Sequence, residues 1–243
     1  MTENAARLRD LHRPGDPLLL PNVWDAASAE IVQDAGFPAL ATASASIAAM
    51  LGYPDHEGAP VEEMFAAAGR VIRAASVPVT VDAEAGYGLP ADELVERLLA
   101  IGAAGCNLED TYAGTLAEPE KQAEYLAAVR AAAGDALVIN ARADTFIAKV
   151  ADPVEAAIAR GRLYIEAGAD CVYPITAPPE TVATLVKGIP GPVNVNSFPG
   201  SSLADIADAG AARVSFGPVP YMRALDSLKD FAGRVLRRED PYA

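Results

Sequence analysis

Three acidic side chains in the first half of the chain are spaced so that they can act together. Asp82 and Glu84 stand two residues apart in the segment VDAEAGYG, and Glu109 follows in GCNLED. Because side chains alternate along a strand, Asp82 and Glu84 would project to the same side. Carboxylates brought together repel one another unless a cation lies between them, and an all-carboxylate set favours Mg²⁺ or Mn²⁺ over zinc. These acids predict a divalent metal site, in which one carboxylate binds directly and the others hold metal-bound water.

Arg142, in the segment INARADTF, adds a guanidinium to this set. A guanidinium can hold a carboxylate through two parallel hydrogen bonds, which a lysine cannot do in the same geometry. Arg142 is therefore a candidate for binding the carboxylate of a substrate. A purely structural alternative stays open, in which a buried ion pair joins Arg142 to Glu109, Asp110 or Asp144.

The remaining reactive side chains are weaker candidates. His12 lies in the N-terminal segment and is predicted to be at the surface. His56 follows Asp55 in a loop and is predicted to be a solvated loop residue, with an approach to the site as the alternative. Cys106 lies inside an apolar run, which favours a packed thiol over a nucleophile.

Short apolar runs that alternate with alanine-rich amphipathic segments must position these groups. The predicted strands are 18–22, 38–43, 77–83, 104–109, 136–142, 170–175, 191–196 and 212–217, and the predicted helices are 25–35, 61–75, 91–102, 119–133, 152–167, 179–187, 202–209 and 220–237. The continuously apolar strands are typical of a parallel sheet that is covered on both faces. Eight such units in 243 residues predict an α/β protein, a single-domain (β/α)8 TIM barrel over residues 1–243.

In such barrels the site lies at the carboxyl ends of the strands. The polar residues at those predicted ends are Asn22, Asp25, Thr42 to Ser46, Asp82, Glu84, Glu109, Asp110, Asn140, Arg142, Asn194 and Asn196. Three consecutive central strands therefore end in carboxylate, carboxylate and guanidinium, which are costly groups to bury without a function.

Composition narrows the possible partners. The formal net charge is −14, from 33 acidic and 19 basic residues, which argues against nucleic acid and against an anionic membrane. Two cysteines are too few for a disulfide framework. The N-terminal segment lacks the apolar core of a signal peptide, and no window approaches the ~20 apolar residues that span a bilayer. We expect a soluble, cytoplasmic protein whose partner is a small anionic substrate.

Several phrases of the sequence, taken in order, resemble the isocitrate lyase/phosphoenolpyruvate mutase superfamily. They are LPNVWDAASAEIVQDAGFPAL, TASASIAAMLGYPD, VDAEAGYG, GAAGCNLED and INARADTF, and they extend over essentially the whole chain. The resemblance implies a (β/α)8 barrel and a Mg²⁺-dependent reaction of a small oxo-acid.

Residue by residue, the resemblance implies a role for each matching position. Asp82 matches the direct Mg²⁺ ligand, Glu84 and Glu109 match acids that hold the metal's waters, and Asp55 matches an acid that reaches the same water shell. Arg142 matches the arginine that binds substrate carboxylate. Substrate oxygens would meet the backbone N–H groups of Ser44 and Ala45, with Thr42 and Asn196 as further substrate-binding candidates at strand ends.

The sequence departs from the superfamily after strand four. There it reads LEDTYAGTLAEPEKQ, without the cysteine that lyases of this superfamily use as proton donor and without the lysine and asparagine of the mutases. Strand six ends in YPIT, without a phosphoryl-contacting histidine. The sequence thus resembles a branch that lacks the lyase loop cysteine, in which Tyr87, Tyr112 or His56 are candidate proton donors or acceptors.

The predicted function is a Mg²⁺-dependent lyase that forms or breaks a carbon–carbon bond in a small 2-oxo- or 2-hydroxy-(di)carboxylic acid through an enolate. Oxaloacetate decarboxylation and methylisocitrate-lyase-like cleavage are both consistent with it, and decarboxylation needs no acid from the missing loop. Two alternatives stay open. One is mutase or hydrolase chemistry on phosphonopyruvate or phosphoenolpyruvate, and the other is a non-catalytic protein that binds 2-oxo-acids.

The last predicted helix, 220–237, carries an apolar stripe: Met222, Leu225, Leu228, Phe231 and Val235 recur at helical spacing. One interpretation is that the stripe packs on its own barrel between strands eight and one. The resemblance implies another, in which the helix is exchanged between subunits of a homodimer or homotetramer.

Overall fold

Parallel strands form a closed ring in the computed structural model, which describes residues 3–243. Six strands pair in the order β2 (Asn22–Val23), β3 (Leu40–Thr42), β4 (Val79–Asp82), β5 (Gly105–Glu109), β8 (Val138–Ala143) and β9 (Cys171–Pro174), and three pair in the order β1 (Leu18–Leu20), β11 (Arg213–Ser215) and β10 (Asn194–Asn196). Two junctions close the ring. β1 and β2 are one strand interrupted at Pro21, which has no N–H to donate, and a parallel bridge joins Val172 to Val193. The predicted (β/α)8 barrel is confirmed.

Helices surround this ring. Their bounds are α1 Glu3–Asp10, α2 Ala26–Asp34, α3 Ser44–Leu51, α4 Val61–Ala74, α5 Ala91–Ala100, α6 Pro119–Ala133, α7 Pro153–Glu166, α8 Val182–Gly188, α9 Leu203–Asp208 and α10 Val219–Leu236. All eight predicted strands and all eight predicted helices are present, with a 3₁₀ turn (Pro179–Thr181) leading into α8. Gly168 and Gly210 end α7 and α9 with φ values of 98° and 90°, which side chains other than glycine rarely adopt.

Three elements were not predicted. Helices α1 and α3 are two of them, and the third is a short antiparallel hairpin of β6 (Thr111–Tyr112) and β7 (Thr115–Leu116) that follows β5. Helix α1 lies against the amino-terminal end of the barrel, where Leu8 is fully buried in a cluster with Leu18, Leu20 and Val138. Helix α3 begins directly after β3, at the opposite end of the ring.

The prediction that His12 lies at the surface is wrong. Its side chain is buried next to α1, and Nδ1 lies 2.8 Å from the carbonyl oxygen of Leu8. Burial lowers the pKa of His12 to about 4, and the charge of Arg213 acts in the same direction. The imidazole is therefore a neutral part of the barrel floor, far from the carboxyl ends of the strands.

The interpretation in which the apolar stripe of the last helix packs on its own barrel is wrong, although the start of the helix contacts that barrel through Tyr221 and Trp24. Within the described part of the chain, α10 contributes no buried residue. Its exposed apolar side chains are Val219, Met222, Leu225, Leu228, Phe231, Val235 and Leu236. The exchange of this helix between subunits stays a prediction. Among residues 3–243, no helix has both the length and the apolarity to cross a membrane.

Candidate active site

A cavity of about 170 Å³ opens at the carboxyl ends of the strands. Residues from seven of the eight strand ends and their loops line it: Asn22, Ala43, Ser44, Ala45, Asp55, His56, Asp82, Glu84, Asn107, Glu109, Arg142, Ile147, Tyr173, Ile175, Ser215, Gly217 and Pro218. The lining combines acidic side chains with apolar ones, so the cavity suits a small polar molecule with an apolar part.

Asp82 is held at the end of β4 by its neighbours on β3 and α3. Its Oδ2 accepts hydrogen bonds from the backbone N–H and the hydroxyl of Ser44, at 3.0 and 2.8 Å. Its own N–H donates to the Oγ1 of Thr42 at 2.8 Å. Because Ser44 begins α3, the carboxylate lies at the positive end of a helix dipole, which stabilises its charge.

Glu84 is buried in a strained turn just beyond β4. Its φ is 49°, in the left-handed region, and its carboxylate accepts hydrogen bonds from the N–H of Glu57 and, at 3.2 Å, from the hydroxyl of Tyr87. Burial raises the pKa of Glu84 to about 7, and the negative charges of Asp82 and Asp55 add to the effect. Strain of this kind is common at functional sites.

Arg142 is clamped between two carboxylates. Its Nε and Nη2 donate to the two oxygens of Asp144, at 2.6 and 2.8 Å, while Nη1 forms an ion pair with Glu109. Burial raises the pKa of Glu109 to about 9, against the opposing effect of the Arg142 charge. The structural ion pair that the sequence left open is therefore present: each of the three guanidinium nitrogens of Arg142 has a carboxylate partner, while the residue also lines the cavity.

Asp110 belongs to the wall of the barrel rather than to the site. It is fully buried, where it accepts hydrogen bonds from the N–H of Asp144, the hydroxyl of Tyr164 and a nitrogen of Arg160, at 2.9, 2.6 and 2.9 Å. This network fixes the backbone of Asp144, and Asp144 in turn fixes the guanidinium of Arg142.

Some predicted site residues lie elsewhere. Thr42 is fully buried and bonded to the N–H of Asp82, so it positions Asp82 and does not line the cavity. The hydroxyl of Tyr87 is directed at Glu84, and that of Tyr112 donates to Gln122 at 2.6 Å. Asn196 accepts a hydrogen bond from the N–H of Thr176 at 2.8 Å and also bonds the side chain of Tyr173, so it lies behind the cavity wall and does not line the cavity.

Asp55 and His56, by contrast, do line the cavity. His56 is also solvent-exposed, so it lies at the mouth of the cavity. Sequence reasoning did not single out Glu57, which links the two loops: its N–H meets Glu84, and its carboxylate accepts from the N–H of Tyr87 at 2.6 Å. One of these two contacts is made by the backbone N–H of Glu57, which any residue but proline has. The residue type alone therefore did not indicate this role.

The acidic side chains fit a divalent cation bound partly through water. Among residues 3–243, no three histidine, cysteine or acidic side chains already converge as direct ligands. The charge of Asp82 nevertheless raises the pKa of both Glu84 and Glu109, and the charge of Glu84 adds to the effect on Glu109. Two glutamates whose ionisation is disfavoured by burial and by neighbouring negative charge, together with Asp82 on the same cavity wall, are suited to share a hydrated cation.

This fold and this acidic cavity define a barrel protein of the lyase and mutase type, and comparisons with known proteins agree. The family model described as "Phosphoenolpyruvate phosphomutase" matches residues 8–236. The chain therefore belongs to the isocitrate lyase/phosphoenolpyruvate mutase superfamily.

Three similar proteins represent the range within this superfamily. Protein Rv1998c of Mycobacterium tuberculosis is 35% identical, with 96% of this chain and 92% of that protein covered. The 2-methylisocitrate lyase of Bacillus subtilis is 30% identical, with 94% and 73% covered. A crystal structure from Burkholderia cenocepacia J2315, provisionally named a phosphonomutase, is 41% identical with a TM-score of 0.90, and the match covers 96% of this chain and all of that one.

Proposed function

We propose that this protein is a Mg²⁺-dependent carbon–carbon lyase that acts on a small 2-oxo- or 2-hydroxy-acid through an enolate. One observation carries the proposal: Asp82, Glu84 and Glu109 lie together beside Arg142 in a cavity of about 170 Å³. The similarity to 2-methylisocitrate lyase supports the reaction class.

Asp82, Glu84 and Glu109 would hold the cation. When bound, such a cation supplies positive charge to the oxygens of the substrate and so favours an enolate. Arg142 contributes the second positive charge. Its Nε and Nη2 donate to Asp144 and its Nη1 is paired with Glu109, so a substrate carboxylate would meet Arg142 at Nη1 and share that nitrogen with Glu109.

The start of α3 supplies a third source of positive potential. The sequence predicted that the N–H of Ser44 donates to a substrate oxygen. In the structure this N–H already donates to Asp82. Ala45 lines the cavity one residue further into the helix. The positive end of the α3 dipole at Ala45 would stabilise an oxygen that gains charge in the reaction.

The loop after β5 favours a decarboxylation, or a cleavage that needs no proton donor from this loop. That loop forms the β6–β7 hairpin and has neither cysteine nor histidine. The hydroxyls of Tyr87 and Tyr112 are bonded to other side chains, so of these two tyrosines and His56 it is His56, at the mouth of the cavity, that would carry the proton.

Phosphonate chemistry is the second candidate, because the Burkholderia cenocepacia structure is 41% identical and has a phosphonomutase name. A transferring phosphoryl group needs several positive or hydrogen-bonding groups around it. Among the described residues of the cavity wall, Arg142 is the one arginine or lysine. The lyase is therefore the better-supported proposal.

A panel of 2-oxo- and 2-hydroxy-acids, assayed with Mg²⁺ for pyruvate and for phosphate release, tests the proposal. We expect product without phosphate release, and we expect it to disappear with EDTA or in an Asp82→Asn variant. Phosphate release would favour the mutase or hydrolase alternative. Binding of oxo-acids without any turnover, by folded protein with Mg²⁺ or Mn²⁺, would instead support a binding protein.

A further inference from the structure

Asn107 lies on the floor of the cavity, two residues before Glu109 on β5. Its Oδ1 accepts one hydrogen bond from the Nδ2 of Asn140, at 2.8 Å, and one from the Nη2 of Arg213, at 3.2 Å. A guanidinium only donates, so the atom that faces Arg213 must be the oxygen. The orientation of the Asn107 amide is therefore fixed by Arg213.

This orientation leaves the amide nitrogen of Asn107 facing the cavity. In the part of the chain that the structure describes, Nδ2 makes no hydrogen bond, and it is not among the buried atoms that lack a partner. Asn107 itself is only 6% exposed and lines the cavity. Its two N–H donors are thus held rigidly at the floor, where an acceptor on a bound molecule can reach them.

Arg213 gives this floor a positive charge. It is fully buried on β11, and among residues 3–243 its Nε and Nη1 have no hydrogen-bond partner. The charge of Asp82 acts on Arg213, but in the described part of the chain no acidic side chain forms a salt bridge with it. A buried charge without a counterion is unfavourable, and an anion nearby lessens that cost. The charge beneath Asn107 therefore favours an anionic oxygen above it.

We propose that Asn107 is a further substrate-binding residue, whose Nδ2 donates to a carboxylate or enolate oxygen of the bound oxo-acid, and that Arg213 is the positioning residue that orients it. The inference rests on the proposed function in one respect: it takes from it that the ligand is an anionic oxo-acid. It adds a contact deeper in the barrel than Glu109 and Arg142, on the same pair of strands.

The test uses oxalate, a planar analogue of a pyruvate enolate, titrated calorimetrically in the presence of Mg²⁺. Asn107→Asp keeps the size of the side chain and its acceptor toward Arg213, but replaces the donor by a negative charge. We expect oxalate to bind roughly 10- to 100-fold more weakly to it. Asn4→Asp is the matched control, because it makes the same chemical change at an exposed position of α1, at the other end of the barrel, and we expect a change of less than about threefold.

A double-mutant cycle separates the positioning role of Arg213 from a purely structural one. Arg213→Met replaces a buried, unpaired charge by an apolar side chain of similar length, so the fold should tolerate it. Freed from Arg213, the amide can turn, and we expect oxalate affinity to fall about threefold to tenfold. In an Asn107→Ser background the same change should have less than about a twofold effect, because Arg213 then has no amide to orient.

Folded Asn107→Asp protein that binds oxalate like the wild type would overturn the inference, and so would additive effects in the cycle. If wild type and Asn107→Asp cleave an oxo-acid with equal kcat/KM, the inference alone fails. If oxalate binding depends on Asn107 in a protein that cleaves no oxo-acid, the inference stands and the proposed function fails. Wild-type protein that binds no oxalate with Mg²⁺ would contradict both.

Discussion

Asp82 is the residue on which the metal proposal depends most. Ser44 orients its carboxylate through two hydrogen bonds, so the ligand is in place before a cation binds. We predict that Asp82→Ala abolishes Mg²⁺ binding measured by titration calorimetry, because the one direct ligand is lost. Asp16→Asn, at an exposed acid near the other end of the barrel, should bind Mg²⁺ as the wild type does. Unchanged Mg²⁺ binding by Asp82→Ala would refute the assignment.

The buried glutamates predict how stability depends on pH. Their pKa values in the folded protein, about 7 for Glu84 and about 9 for Glu109, lie above the ordinary value of 4.5. The folded state therefore binds protons more tightly than the unfolded state. Without metal, the contribution of these two glutamates to the free energy of unfolding should be greatest below about pH 4.5. It should fall as the pH rises through 7 toward 9.

A bound cation should reverse part of this loss, because Mg²⁺ competes with protons for the same carboxylates. We predict that Mg²⁺ raises the melting temperature more at about pH 9 than at about pH 6. In Glu84→Gln, the melting temperature of the metal-free protein should depend less on pH, since that side chain no longer titrates. A Mg²⁺ effect of equal size at both pH values would contradict this prediction.

The sequence was sufficient to identify most of the charged residues of the cavity, but not the contacts that they make. Asp82, Glu84, Glu109 and Arg142 were found because strand ends of a barrel converge and because their charges are costly to bury. The roles of Thr42 and Asn196 could not be predicted, since a strand-end position does not tell whether a side chain faces the cavity or its neighbour. Which of the several acids would pair with Arg142 depends on distances that the sequence does not contain.

Among the elements, α1 shows what periodicity misses. Its sequence ENAARLRD is short and polar, yet Leu8 packs under the ring and Arg9 forms an ion pair with Asp170 at 2.7 Å. Helix α3, SASIAAML, was missed for the opposite reason: it is apolar nearly all round and carries no capping side chain. The outer helices and the strands were predicted correctly because a barrel repeats the same two patterns.

Helix α1 covers the amino-terminal end of the barrel, and this leads to a prediction about stability. Leu8→Ala should lower the free energy of unfolding by about 2–5 kcal/mol, because Leu8 is fully buried and the barrel end cannot collapse around the lost side chain. Urea denaturation measures it. Leu203→Ala is the control, since Leu203 is 38% exposed on α9 and should change stability much less. Equal effects of the two substitutions would mean that α1 does not contribute to the core.

For the whole molecule, the net charge of −14 and the acidic cavity act in the same direction. An anionic substrate approaches a protein that repels it over long range. The positive groups that offset this repulsion are local: Arg142 at the rim, Arg213 below the floor and the start of α3, together with the proposed cation. The oxo-acid should therefore bind weakly without metal, since these fixed groups face several acids.

The apolar face of α10 leads to the last prediction, which concerns assembly. Met222, Leu225 and Leu228 are 55%, 46% and 62% exposed, and together with the rest of the stripe they form a continuous apolar surface of a kind that monomers rarely leave in water. We expect light scattering to give two or four times the chain mass of 25.1 kDa, as a homodimer or homotetramer would. Met222→Glu combined with Leu228→Glu should dissociate the assembly, because two charges cannot be buried there without partners. Leu203→Glu, on α9, should leave it intact. A 25.1 kDa monomer at micromolar concentration in the unaltered protein would show that this helix face needs no second copy.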